Sequence, residues 1–150
     1  MGTLARVDNW SQTGPGRYSL LCVGVHRIVV DEWLPDGLYP NARTRSLADT
    51  PGEAPDWTAL MEGRALLQLL CGQGGRRDRD LRQTASWLAE PVDYSGSDAT
   101  EASFRATSDL PLGAADRQRA LIATDAASRV DVLISAVDDL IAALRFRFQA

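Results

Sequence analysis

The stretch Ala48-Asp49-Thr50-Pro51-Gly52-Glu53-Ala54-Pro55 separates two kinds of hydrophobic pattern. Its prolines and glycine suit a linker better than a helix or a strand. Before it, β-branched and aromatic residues come in short runs broken by turn chemistry; after it, apolar residues recur about every 3.6 positions. The expectation is an α+β chain, with a β subdomain over 1–50 and a helical subdomain over 51–150.

Toward the N-terminus, Leu4 to Val7 opens a strand, and Thr13-Gly14-Pro15-Gly16 turns the chain into a hairpin partner, Arg17 to Val23. Gly24 marks a bulge or bend. The strand resumes over Val25 to Trp33, with His26, Ile28 and Val30 on one face and Arg27, Val29 and Asp31 on the other. Pro35-Asp36-Gly37 turns the chain again, and Tyr39 to Leu47 is a last strand with Asn41, Arg43 and Arg45 sharing a face.

Toward the C-terminus, Asp56 is placed to cap a helix through Leu70, in which Trp57, Leu60, Met61, Leu66, Leu67, Leu69 and Leu70 form a wide apolar stripe. A weaker helix spans Arg79 to Ala89 and stops before Pro91. Ser97 and Asp98 precede Glu101 at capping-box spacing and open a helix to Ser108. Pro111 and Gly113 separate this from Ala114 to Ala123. The last helix is the clearest: Val130, Leu133, Ile134, Val137, Leu140, Ile141, Leu144 and Phe148 define one face, and Asp131, Ser135, Asp138 and Asp139 the other.

Composition narrows the chemistry. The 150 residues are 45% hydrophobic and 24% charged, enough for a packed core. All 16 basic side chains are arginine, so a P-loop lysine, a Schiff-base lysine and a Ser-Lys dyad are excluded. His26 is the one histidine, which argues against a His-rich zinc site or a conventional triad. Cys22 and Cys71 lie in apolar runs without CxxC spacing and read as buried free thiols. The formal net charge of −4 argues against a nucleic-acid footprint. MGTLARVDNW lacks the pattern of a signal peptide, and no apolar run approaches the ~20 residues of a spanning helix, so a soluble cytoplasmic protein is expected. Arginine in place of lysine, with abundant alanine, points to a GC-rich bacterial genome.

Several motifs, in order, resemble the N-terminal substrate-binding domain of the ATP-dependent Lon protease, a domain that also occurs alone. Gly2-Thr3-Leu4-Ala5-Arg6-Val7 is similar to that family's "GTLA-x-V" strand, and Gly16-Arg17-Tyr18-Ser19-Leu20 with Val23-Gly24 to its "GRY-x-L…vG" return. Arg27-Ile28-Val29-Val30 with Glu32-Trp33 resembles "RF-x-V-x-E", and Tyr39-Pro40-Asn41-Ala42 resembles "YP-x-A". Leu110-Pro111-Leu112, Asp116-Arg117-Gln118, Leu121, Asp125 and Arg129 resemble the segment ahead of the family's final helix.

The resemblance implies a PUA-like β-barrel followed by helices. The family's opening "PLFPL" strand and the elements after it have no counterpart before Gly2, so the expected barrel is partial, with unpaired edges and an uncovered apolar face. At Ala120-Leu121-Ile122-Ala123 the glutamate often found in the family is absent. The ATPase and peptidase of a complete Lon have no counterpart in this sequence, so protease activity is not expected from the resemblance.

No catalytic, cofactor or metal residues are assigned. His26 reads as a barrel side chain, Arg76 to Arg82 as a solvated helix start, and Asp138-Asp139 as a solvated polar face. Trp33, Leu34 and Tyr39, flanking the Pro35-Asp36-Gly37 turn, are candidate peptide- or partner-binding residues; the plainer account has them packed in a strand-to-helix seam. The expected function is a non-catalytic module recruiting unfolded or extended polypeptides, or a regulatory protein, in association with proteolysis by a separate enzyme. The alternatives are RNA binding by a PUA-like barrel, a peptidase, and a truncated product without independent function.

Overall fold

The computed structural model describes residues 1–35, 37–76, 78–94 and 98–149. Among them, strands β1 (Gly2–Gly14), β2 (Arg17–Trp33) and β3 (Ala42–Leu47) precede helices α1 (Trp57–Gly74), α2 (Arg79–Leu88), α3 (Ala99–Ser108), α4 (Ala114–Ile122) and α5 (Ala126–Gln149). This is an α+β order. The chain divides into two compact units, Met1–Ala48 and Asp49–Ala150.

The strand unit is an antiparallel meander in the order β1-β2-β3, an open sheet rather than a closed barrel among the described residues. Its hairpin turns at Pro15-Gly16, where Gly16 adopts φ +67°, a left-handed conformation that glycine enters without a Cβ clash. β1 continues beyond Val7 to Gly14 because Asn9, Trp10, Ser11 and Gln12 pair with Leu21, Leu20, Ser19 and Tyr18. Ladder hydrogen bonds come from the backbone and tolerate polar side chains here. The bulge expected at Gly24 is present: Ala5 pairs with Gly24 and Leu4 with His26, leaving Val25 as the extra residue.

β3 starts at Ala42, three residues later than the sequence pattern placed it. Pro40 lacks an N–H for a ladder, and the intervening loop makes local bonds instead. The Leu34 N–H donates to the Asn41 carbonyl at 2.9 Å, and Asn41 Nδ2 donates to the Tyr39 carbonyl at 3.0 Å. Of the expected Pro35-Asp36-Gly37 turn, Asp36 lies outside the described residues. Arg43 and Arg45 pair with Glu32 at 2.7 Å and Asp31 at 3.0 Å across the β2–β3 ladder.

The apolar core lies in the helical unit. Asp56 caps α1 by accepting the Ala59 N–H at 3.0 Å, as its position suggested. Asp78 caps α2 and Asp98 caps α3, each accepting two backbone N–H groups. Ser97, the other half of the expected capping pair, lies outside the described residues. Leu60, Leu67 and Cys71 of α1 pack in one cluster with Leu88, Leu110 and the Val130, Leu133, Val137 and Ile141 stripe of α5. α1 comes close to α5 at Gly63, where a Cβ would lie 3.1 Å from Val137 Cγ1.

Buried within this core is a charge that helical periodicity does not foretell. Arg129 is 0% exposed. Its Nη1 and Nη2 each meet one oxygen of Asp49 at 2.9 Å, Nη1 also donates to Ser103 Oγ, and Nε and Nη2 donate to the Ala120 and Ala123 carbonyls. The guanidinium also lies 3.7 Å from the centre of the Phe104 ring. A bidentate pair with all its polar edges occupied is the arrangement in which a buried arginine is tolerated. With the Thr50 N–H donating to the Thr124 carbonyl at 2.9 Å, it ties the start of this unit to the α4–α5 junction.

Candidate functional site

In the strand unit the ladder sets which side chains share a face. Tyr18, Leu20 and Cys22 of β2 stand opposite Gln12, Trp10 and Val7 of β1, so alternation puts Val7, Trp10, Tyr18, Leu20 and Cys22 together. Trp10 is 63% exposed, and Val7, Tyr18 and Leu20 are also exposed. The Trp10 and Tyr18 rings meet edge to face at 5.7 Å. β3 pairs only with Arg27 to Trp33, so β2 from Arg17 to His26 has a strand on one side alone among the described residues. An apolar face therefore adjoins an unpaired backbone edge.

Trp33, Leu34 and Tyr39 are gathered at the β2–β3 loop, at the other end of β2. Fourteen strand residues lie between Tyr18 and Trp33, a contour of about 50 Å at roughly 3.3 Å per step. Trp33 and Tyr39 are 70% and 68% exposed, and Leu34 is half-buried. Two expectations are corrected here. His26 is exposed beside the bulge, because the described strands form an open sheet with no barrel interior to cover it. Cys22 is an exposed free thiol, since its strand face is uncovered, whereas Cys71 is buried and burial pushes its thiol pKa up.

The helical unit holds a second, more polar site. Arg64, Trp87, Glu90, Pro91, Val92, Asp93, Arg105 and Asp109 line a cleft of about 340 Å³. Arg64 comes from α1, one turn after Leu60 and one before Leu67, and is only 6% exposed. Its Nη2 donates to the Glu90 carbonyl at 3.3 Å, while its buried Nε–H meets no acceptor among the described residues. Leaving such a donor unmet costs about 1–3 kcal/mol, and more on a charged group.

Beside the cleft, Tyr94 stacks on Trp57 at 5.1 Å and donates its O–H to Asp109 Oδ2 at 3.2 Å. Burial, followed by the Asp109 carboxylate, pushes the phenol pKa up to about 12. Arg105 lies 5.7 Å from the Tyr94 ring centre and donates to the Asp93 carbonyl. The sequence pattern offers Trp57 only as part of an apolar stripe and marks none of Arg64, Tyr94, Arg105 or Asp109 as a candidate site residue. The signal that could have found Arg64 is its register: a charged residue at the i+4 position of an apolar stripe is either a misfit or a partner to something.

The Arg76 to Arg82 run opens α2 as expected: Asp78 caps the helix and pairs with Arg147 at 2.9 Å, while Arg77 lies outside the described residues. Asp138 and Asp139 are exposed on α5. Among the described residues no group of three or more His, Cys, Asp or Glu side chains is arranged to hold a metal ion, and no helix is long and apolar enough to cross a membrane. No protein-family model matches the chain, and no curated protein matches it.

Proposed function

We propose that this chain is a non-catalytic polypeptide-binding module, related to the Lon substrate-binding domain and carrying an incomplete PUA-like β-layer. The observation that carries the reading is the Val7, Trp10, Tyr18 and Leu20 face beside the unpaired Arg17–His26 edge of β2. An extended chain can add to such an edge through main-chain hydrogen bonds while its alternate side chains rest on the apolar face. This mode reads backbone more than sequence, which suits unfolded clients. Trp33, Leu34 and Tyr39 offer a further contact at the opposite end, for a regulatory protein. Recruitment then serves proteolysis by a separate cytoplasmic enzyme. The RNA alternative is weakened by Arg6, Arg43 and Arg45, each paired with a carboxylate within the sheet rather than presented to phosphate.

The test uses the full chain and a labelled polypeptide held unfolded by reduction and alkylation, with fluorescence anisotropy as the readout. The unfolded form binds, its native form does not, and Leu20→Asp weakens binding at least tenfold while leaving helical circular dichroism unchanged. Absence of binding, or equal binding by Leu20→Asp, refutes the reading.

A further inference from the structure

The free edge of β2 lacks the features that keep an edge single. Every residue from Arg17 to His26 is exposed, and β3 pairs only from Arg27 onward, so this stretch has no strand on its β3 side among the described residues. Edges of monomeric sheets carry charges or prolines that discourage pairing. Tyr18-Ser19-Leu20-Leu21-Cys22-Val23-Gly24-Val25 carries neither. Both of its faces are apolar as well: Tyr18 and Leu20 are 57% and 56% exposed on one, Leu21 and Val23 62% and 42% on the other. A two-stranded ribbon is marginal in water, and further strands stabilise it.

A second copy of this chain fits that edge by symmetry. Two antiparallel β2 strands are related by a two-fold axis, and the same stretch then supplies both the slot and its occupant. An axis at Leu21, near the middle of the slot, sets Leu21 opposite its counterpart, Leu20 opposite Cys22 of the second copy, and Tyr18 opposite Gly24 of the second copy. A tyrosine ring then covers the backbone that the glycine leaves bare. Arg17 falls opposite Val25, whereas an axis at Cys22 would set Arg17 against Arg27, two like charges. We infer that two copies of this chain join by antiparallel pairing of β2 over Arg17–His26, with Leu21 at the two-fold axis. That length of edge, with Tyr18, Leu20, Leu21, Val23 and Val25 exposed in each copy, buries on the order of 1,000 Å² in total, the small end of specific interfaces. The dimer is therefore dissociable, and an extended client can exchange with the second copy. The pairing itself needs no client; only that exchange rests on the polypeptide-binding reading of the edge.

Sedimentation equilibrium of the full chain, from micromolar to millimolar concentration, gives a monomer–dimer equilibrium that stops at two copies. In this register the two Cys22 side chains share a face as diagonal neighbours, about 7–8 Å apart, so a short bismaleimide joins the copies and Cys22→Ser abolishes the product. Leu21→Arg sets two like charges at the axis and weakens the dimer at least tenfold. Its side chain lies on the face away from Leu20, so reduced and alkylated polypeptide still binds the monomer within about twofold. Should that variant fail to fold, the Cys22 cross-link of the unaltered chain decides alone. The inference is overturned if the chain stays monomeric, if association continues beyond two copies, if no Cys22 cross-link forms, or if folded Leu21→Arg dimerises as well as the unaltered chain. Client binding by a chain that never dimerises overturns this inference alone, and dimerisation without client binding overturns the polypeptide reading alone.

Discussion

Arg129→Met tests the claim that a buried ion pair organises the helical unit. The substitution keeps an aliphatic chain of similar reach but deletes every donor that Arg129 provides. The Asp49 carboxylate, whose side chain is 8% exposed, then loses its bidentate partner, and Ser103 Oγ and the Ala120 and Ala123 carbonyls each lose a bond. Removing one member of a buried pair costs about 3–5 kcal/mol, chiefly because the other charge stays buried. At about 2.1 cal/mol/K of unfolding entropy per residue, a unit of about 100 residues has ~0.2 kcal/mol/K, so the melting temperature falls by about 14–24 °C. Far-UV circular dichroism melts of the full chain read this directly, because α1 to α5 lie in that unit. Asp49→Leu combined with Arg129→Met removes both charges and destabilises by less than the sum of the single changes, by about 1–3 kcal/mol. A loss under about 1 kcal/mol for Arg129→Met, with additive behaviour in the double variant, refutes the reasoning.

Three further outcomes are expected. Because the folded Tyr94 phenol has its pKa raised from 10.0 to about 12, its contribution to stability is complete below pH 10 and is lost as pH rises from 10 through 12; Tyr94→Phe flattens that part of the melting-temperature profile. Gly16→Ala forces a Cβ into the left-handed region and costs about 1–2 kcal/mol, seen as lost sheet signal before the helical unit melts. Cys22 reacts with a thiol reagent in the native chain, whereas Cys71 reacts only when the helices open, so stopped-flow labelling gives one fast and one slow thiol.

Local chemistry made much of the architecture legible. Apolar spacing at i, i+3, i+4 and i+7 defined α5, Asp56 marked the start of α1, and Gly24 marked its bulge, because each signal is exchanged between residues within a turn or a strand. The candidate sites were less accessible. Trp33, Leu34 and Tyr39 were visible as an unusual apolar group, but their exposure depends on what covers them, which no local pattern encodes.

The sequence by itself determined the α+β order, the absence of lysine chemistry and most helix ends, since these depend on residue type and nearest neighbours. Only the tertiary structure decided that Arg64 and Arg129 are buried rather than solvated. Arg64 bonds a carbonyl 26 positions away, and Arg129 bonds a carboxylate 80 positions away. A guanidinium belongs in a core only when partners that distant are brought to its edges. The same chain folding that satisfies Arg129 completely leaves the Nε–H of Arg64 unmet among the described residues.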